Sequence, residues 1–278
     1  MISELPSLRQ TVENYGLLAK KSLGQNFLLD MNITNKIIRT TLSAQNKQDF
    51  HNDFIYEIGP GPGGLTRAIL MAEPKQLTVI EMDERCIAIM RELQAATGDM
   101  LKIVQGDALQ YPFSADKEKK KHIISNLPYN ISVPLLLKWL KDMPQYQSLT
   151  LMFQKEVAER ITATPNNKQY GRISVIAQLT CRIKQLFDLN PNCFVPAPKI
   201  WSSVLLFQPL EQIPSPDVLS VVEKLTAQAF SQRRKMIRQS LKSVPQLENI
   251  CCGLGIDTSI RAENLTPLQY LAIAEKIL

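Results

Sequence analysis

The run Phe54-Ile55-Tyr56-Glu57-Ile58, continuing directly into Gly59-Pro60-Gly61-Pro62-Gly63-Gly64, constrains this chain more than any other feature. A short buried-type strand enters a glycine turn, and a helix begins near Leu65-Thr66. That is the nucleotide-type loop of a doubly wound sheet. Gly59, Gly61 and Gly64 fit the G-x-G-x-x-G spacing, a weak match alone because a plain tight turn also satisfies it. The two prolines are more informative. Each removes an amide donor that would otherwise bond a pyrophosphate, so a ligand without phosphate groups suits the loop better.

The segments that follow repeat the pattern. Residues 77–83 read as a strand ending in acids, with Glu81 at its tip and Asp83 capping a helix over 84–95. Residues 100–104 read as a third strand, leading into Gln105-Gly106-Asp107-Ala108. An acid at the tip of the second strand accepts ribose hydroxyls, from NAD or S-adenosylmethionine alike, and Asp107 can accept from an adenine amino group. Either acid alone is equally well a helix cap or a solvated turn. Both at successive strand tips is much less expected by chance.

A fourth strand, 122–125, ends in Asn126-Leu127-Pro128-Tyr129. Pro128 fixes φ and frees the carbonyl of Leu127 to point outward. Asn126 adds a side-chain acceptor and Tyr129 a π face for stacking. These four residues suit a flat heterocycle held by its exocyclic amine, and the reading is an adenine amine gripped and alkylated. Helical spacing resumes over 131–140, with Ser132 and Pro134 suited to a first turn. A strand at 149–153, helices at 154–162 and 170–180, and strands at 183–189 and 200–207 complete the alternation. It predicts a parallel α/β sheet with right-handed crossovers.

Two aromatic positions stay open. In loop 20–30, before a helix over 31–42 capped by Asp30, Asn26 and Phe27 lie either in a solvated linker, slightly favoured, or against a ligand. Phe194, in the proline-rich loop 191–198, is either a core anchor, which the residues favour, or a stacking wall opposite Tyr129.

At 278 residues the chain has room for one large domain and one small one. Residues 208–216, with three prolines, read as a linker, and only helical spacing follows. Within that part Arg233, Arg234, Lys235 and Arg238 put four positive charges into six residues without an acid. With a net charge of +6, phosphate binding outweighs a merely solvated face. The run 117–121 reads as a solvated loop. No apolar run is long enough for a membrane span, and the N-terminus lacks a signal pattern, so a cytoplasmic protein is expected. Five scattered cysteines and two separated histidines predict reduced thiols and no metal site.

Taken together, the segments resemble the ribosomal RNA adenine dimethyltransferase family, in its small-subunit branch. The carrying motifs are KKSLGQNFLLD (20–30), YEIGPGPGGLT (56–66), VIEMD (79–83), QGDAL (105–109), SNLPYNIS (125–132), MFQKEVAERI (152–161), YGRISV (170–175), FVPAPKIWSSV (194–204) and AFSQRRKMIRQSL (229–241). The resemblance implies a Rossmann-like S-adenosylmethionine-dependent methyltransferase domain over 1–208, with a cofactor-covering segment 1–30, and a small helical rRNA-binding domain over 209–278. It implies cofactor contacts from Asn26, Leu28, Gly59, Glu81, Asp107 and Asn126. The target adenine falls to Asn126, Leu127, Pro128, Tyr129 and Phe194. The implied reaction doubly methylates N6 of two adjacent adenosines in the hairpin loop near the 3′ end of small-subunit rRNA, during subunit assembly, by a monomer. Ile200 stands where the family's usual Val follows Pro-Lys, and Trp201 comes next; neither should alter the chemistry. The rivals are an NAD-dependent oxidoreductase, a non-catalytic assembly factor, and a resistance enzyme acting on large-subunit rRNA.

Overall fold

A computed structural model describes residues 4–17, 26–113 and 121–278. The chain divides into two compact units, one of residues 1–136, 144–155 and 184–208, the other of residues 137–143, 156–183 and 209–278. The second unit takes in residues 137–143 and most of the helices expected over 154–162 and 170–180 besides the chain after Gln208, so these units are not the expected division into 1–208 and 209–278.

The strands are β1 (Phe27–Leu28), β2 (Phe54–Ile58), β3 (Gln76–Glu81), β4 (Leu101–Gln105), β5 (Lys121–Ser125), β6 (Tyr146–Gln154), β7 (Cys181–Leu189), β8 (Phe194–Val195) and β9 (Ser202–Pro209). The helices are α1 (Leu8–Asn14), α2 (Met31–Ala44), α3 (Gly64–Met71), α4 (Glu84–Thr97), α5 (Tyr129–Lys141), α6 (Lys155–Thr162), α7 (Arg172–Thr180), α8 (Pro216–Ser231), α9 (Ile237–Ser240), α10 (Leu247–Gly253) and α11 (Pro267–Ile277).

Among the described residues, seven strands form one sheet in the order β4-β3-β2-β5-β6-β9-β7. The first five are parallel neighbours. All five residues of β5 are buried, as a parallel strand covered on both faces requires. The parallel sheet expected from the alternation holds across these five, and β9 departs from it by pairing antiparallel with β6 in the register Gln154↔Ser202. No α-helix lies between Leu189 and Ser202, so the chain has no crossover with which to return in the parallel sense.

Local signals set the helix starts. Asp30 caps α2 by accepting from Asn32 N at 2.8 Å, and Asp83 caps α4 by accepting from Arg85 N at 3.0 Å. Helix α5 begins at Tyr129, two residues before the predicted start, which leaves Pro134 inside the helix and not in its first turn. Of the lysine run, residues 117–120 lie outside the described residues. Lys121 is buried, its ammonium bonded to the carbonyl of Phe113 and 5.5 Å from the Tyr56 ring centre. The solvated reading therefore fails there, because Lys121 opens the central strand β5.

The second unit closes around aromatic residues. Tyr170 and Tyr270 donate from their hydroxyls to the carbonyls of Leu265 and Ala262, at 3.0 and 2.8 Å. Phe230 lies between their rings, with centroids 5.9 and 6.1 Å away. Thr266 and Gln269 cap α11 reciprocally.

At the edge of the sheet where the parallel strands begin, a buried polar chain joins β2, β5 and β6. His122 Nδ1 meets Ser148 Oγ at 2.7 Å, and its Nε2 lies 3.4 Å from Asp53, which Lys47 also bonds. Ser148 and His122 are fully buried, so no substrate reaches this serine-histidine-aspartate set and it serves as a structural strut. Burial holds the imidazole below its usual range, with the Lys47 charge adding. A base depressed in the fold loses protein stability as pH falls through its unfolded value, near 6.5. Thermal melts of wild type and His122→Asn compared at each pH should show the wild type's advantage, about 1–3 kcal/mol at pH 7, shrinking from pH 7 to pH 5. An advantage independent of pH would contradict the assignment.

Candidate active site

Sheet order reverses between β2 and β5, and the crevice of an open α/β sheet lies outside the carboxyl ends of the strands at that point. The two tips are knitted together there. Ser125 Oγ donates to the carbonyl of Ile58 at 2.7 Å. The turn that leaves β2 is anchored by Gly59 N donating to Ile80 O at 2.9 Å, and Gly106 N donates in the same way to Glu81 O at 2.9 Å.

Two cavities share this edge. One is enclosed by Asn26, Leu28, Glu57, Gly61, Asn126 and Tyr129, among others; the second, about 630 Å³, opens at the tips of β3 and β4 between Met82, Asp83, Asp107, Ala108 and Ile131. Gly59, Glu81 and Pro128 line both, so the two adjoin as the inner and outer parts of a trough. Its outer part, about 630 Å³, has room for a nucleoside, and its inner part is narrow, about 70 Å³.

Each predicted residue can now be placed. Asn126 is half-buried, and its Nδ2 donates to the backbone carbonyl of Asn26 at 3.1 Å. That bond engages the amide nitrogen and leaves Oδ1 able to accept. Leu127 is buried and Pro128 packs beside Gly59. Tyr129 lines the pocket, its hydroxyl 2.8 Å from Ser202 Oγ, and burial raises its pKa. Glu81 Oε1 accepts from Met82 N and Asp83 N at 2.7 and 3.0 Å, and burial pushes its carboxyl up. Asp107 is half-buried and ties its own turn, accepting from Leu109 N at 2.9 Å.

Asn26 and Leu28 belong to the trough through a contact the residues alone did not disclose. Strand β1 pairs with β8 in the register Phe27↔Val195 and Leu28↔Phe194, and it lies directly on the glycine turn. A Cβ at Gly64 would fall 2.3 Å from the Leu28 carbonyl, and one at Gly61, where φ is +55°, would fall 2.9 Å from the Phe27 ring. Phe194 is buried in the hydrophobic core with Leu28 and Val204 and is not among the residues lining the enclosed cavity. In the second unit Arg234, Lys235 and Arg238 are exposed, whereas Arg233 is held by Glu263 at 2.7 Å and by the carbonyl of Asn167 at 3.2 Å.

Sequence reasoning passed over Glu57. It lines the enclosed cavity, is fully buried, and its Oε2 has no hydrogen-bond partner among the described residues. Burial pushes its carboxyl up to about 8, and the negative charge of Glu81 adds. An acid in an otherwise apolar strand, two residues before the glycine turn, was the available signal. No Lys, Arg or His lines the enclosed cavity among the described residues. A pocket with two acids, no cation and proline-depleted amides repels a pyrophosphate and attracts a cation.

By position in the chain the sheet runs 3-2-1-4-5-7-6, and the fold is that of the Rossmann-like methyltransferases. A family model described as ribosomal RNA adenine dimethylase matches residues 16–278. The chain belongs to that family. The ribosomal RNA small subunit methyltransferase A of Rhodospirillum rubrum is 42% identical, covering 98% of this chain and 93% of the relative. Its namesake from Brucella anthropi is 47% identical, covering 98% and 97%. Among solved structures, a dimethyladenosine transferase from Plasmodium falciparum superposes with a TM-score of 0.71 at 25% identity, over 88% of this chain and 94% of that one. The 23S rRNA methyltransferase ErmE shares the fold, with a TM-score of 0.68 at 21% identity, over 91% and 99%. Among the described residues no helix is long and apolar enough to cross a membrane, and no group of acids, histidines and cysteines is placed to hold a metal.

Two outcomes follow from the packing and the buried acid. Gly64→Ala must displace the Leu28 carbonyl, so denaturation should show a loss of about 1–3 kcal/mol, whereas Gly253→Ala, with open space around its Cβ, should be close to neutral. Glu57 is raised in the fold, so its contribution is fully present below the unfolded carboxylate value and is lost as pH rises through about 8. The melting temperature of the ligand-free wild type relative to Glu57→Gln should fall from about pH 5 to pH 8 and level off above that.

Proposed function

We propose that this protein dimethylates N6 of two adjacent adenosines in the hairpin loop near the 3′ end of small-subunit rRNA, as a cytoplasmic monomer taking part in subunit assembly. S-adenosylmethionine, when bound, supplies an electrophilic methyl group on a sulfonium. The observation that carries the reading is the trough itself: among the described residues no Lys, Arg or His lines its inner part, Arg85 in its outer part is held by Asp83, and Asn126 stands at the inner end.

The residues divide the work as follows. Glu81 takes the ribose hydroxyls and Asp107 the adenine amine of the cofactor. Gly59 allows close approach, and Asn26, Leu28 and Asn126 wall the inner end. Glu81 supplies negative field for a sulfonium-bearing cation, and Glu57, protonated near neutrality in the ligand-free protein, would ionise when the cation arrives.

The N6 lone pair of adenine is delocalised into the ring and is a poor nucleophile. The Asn126 side-chain oxygen and the Leu127 carbonyl accept its two hydrogens and favour a pyramidal nitrogen, whose lone pair then faces the methyl donor. Pro128 holds the Leu127 carbonyl in that role. Tyr129 stacks on the ring and favours the cationic transition state through its π face, and Phe194 supports the opposite wall. The alkylated nitrogen is acidic enough to release its proton to water, so no strong base is required. The target must be unpaired or extruded, as in a hairpin loop. Exposed Arg234, Lys235 and Arg238, with the partly engaged Arg233, supply phosphate contacts on the second unit.

Mass mapping of methyl groups on both ribosomal RNAs, after incubation with S-adenosylmethionine, tests the reading. Four methyl groups on two neighbouring small-subunit adenosines are expected. Methylation confined to large-subunit rRNA, or none, would overturn it. Tyr129→Ala and Asn126→Ala should each lower turnover by roughly 10²-fold or more, and Tyr129→Ala should leave cofactor affinity intact by calorimetry.

A further inference from the structure

Proteins bury tryptophan, and Trp139 is 0% exposed here, yet Trp201 is 46% exposed. Two further apolar residues close to it in the chain are exposed as well, Val195 at 48% and Ile200 at 40%, and the three are treated together as a patch. The patch lies at the functional edge of the sheet. Gln154, the last residue of β6, pairs with Ser202, the first of β9, so Trp201 emerges at the same carboxyl edge from which Asn126 leaves β5. Two strand spacings separate β5 from β9, roughly 10 Å. The link to the site is direct, because the residue after Trp201 is Ser202, whose hydroxyl meets Tyr129 Oη at 2.8 Å.

The patch is also held still. The Trp201 carbonyl accepts from Lys155 N at 2.9 Å, and Lys155 Nζ lies 5.9 Å from the indole centre. Lys199, two residues earlier, is exposed. The nearby acid, Asp188, is engaged by Lys155, Ser203 and Gln185 at 2.9, 2.7 and 2.6 Å, so its charge is matched where an approaching phosphate would feel it. A half-bare indole with the Lys155 ammonium 5.9 Å from its centre and the exposed Lys199 two residues away in the chain is a surface on which an unpaired nucleobase can stack.

We propose that Trp201 is a stacking platform for a base of single-stranded RNA flanking the target adenosine, and that it sets RNA affinity without touching the methyl-transfer chemistry. The proposal rests on the RNA-methylating reading above. Base stacking on an aromatic side chain is sequence-tolerant, so the platform orders the strand and does not select its sequence.

The chain has two tryptophans, of which only Trp201 is accessible, so its own fluorescence reports the contact. The full-length protein is titrated with a short adenosine-containing single-stranded RNA, and with a duplex of the same sequence. Quenching by the single strand, weaker quenching by the duplex, and no quenching in Trp201→Ala are expected. In steady-state methylation of rRNA, Trp201→Ala should raise KM for RNA roughly tenfold with kcat and cofactor affinity held, and Trp201→Phe should recover most of that loss. Trp201→Ala with wild-type RNA affinity and KM would overturn the platform while leaving methylation, and the reading above, in place. Absence of methylation by the wild type would instead sink that reading, and Trp201-dependent quenching would still decide whether the indole meets RNA. Unquenched wild-type fluorescence at saturating RNA would reject the platform outright.

Discussion

The hydrogen bond from Asn126 Nδ2 to the carbonyl of Asn26 decides which end of an amide the pocket meets. An asparagine side chain is nearly symmetric in shape and opposite in chemistry at its two ends. Tying its donor to a backbone carbonyl a hundred residues away leaves the oxygen able to accept from a ligand, which is the role proposed for it. The acceptor for an amine is then set before any amine arrives, which is the preorganisation that lets a hydrogen bond act on a reacting nitrogen without first being reoriented. The carbonyl that does this belongs to the residue before β1, and β1 is held where it is by the bare backbone of Gly64 and by the ring of Phe27 against Gly61. A polar switch at one residue thus depends on the absence of a Cβ at another.

The charge pattern follows from the same loop. Pro60 and Pro62 withdraw amides, Gly61 N reaches Glu81 at 3.5 Å, and Glu57 stays buried behind them with an unpartnered oxygen. Burial raises both carboxyls and the charge of Glu81 adds to the rise at Glu57, and the pair is tolerable because Glu57 is protonated near neutrality. A cationic ligand reverses this balance, since the cost of burying the charge falls when its counter-ion arrives. An NAD-type ligand would bring more negative charge to the same place. The glycine spacing permits either ligand, and the electrostatics separate them.

Much of this was legible from the chain alone, for identifiable reasons. Strands β2 to β5 read correctly because central parallel strands are short, apolar and ended by turn residues, and the tip acids Glu81 and Asp107 stand out against that background. What escaped required three-dimensional neighbours. The pairing of Phe27-Leu28 with Phe194-Val195 joins two-residue strands, too short for any period to register. The antiparallel β9 depended on the missing crossover helix and not on its own residues. Lys121 reads as the end of a charged run, but its aliphatic stem and ammonium are enclosed by Tyr56, Tyr146 and the Phe113 carbonyl. Arg233 is indistinguishable in sequence from Arg234, yet Glu263 claims it from thirty residues away. In each case a tertiary contact outweighed a local rule.

The same distinction bears on the two aromatic residues assigned to the target. Tyr129 opens α5 with its hydroxyl fixed on Ser202, and Ser132 Oγ bonds back to its carbonyl at 2.9 Å. Backbone and ring are both restrained, so little rotamer entropy is left to lose when a base arrives. Phe194 is restrained differently, packed in the core and paired across to Leu28. Its ring therefore shapes the site by positioning the strand that carries Asn26 and Leu28. A polar-tipped aromatic residue can face a pocket while bonded at its tip, whereas a phenylalanine has no such tether and settles where it buries most surface. The side chain able to be both anchored and presented is the tyrosine, and the loop Asn126-Leu127-Pro128-Tyr129 is organised to keep it so.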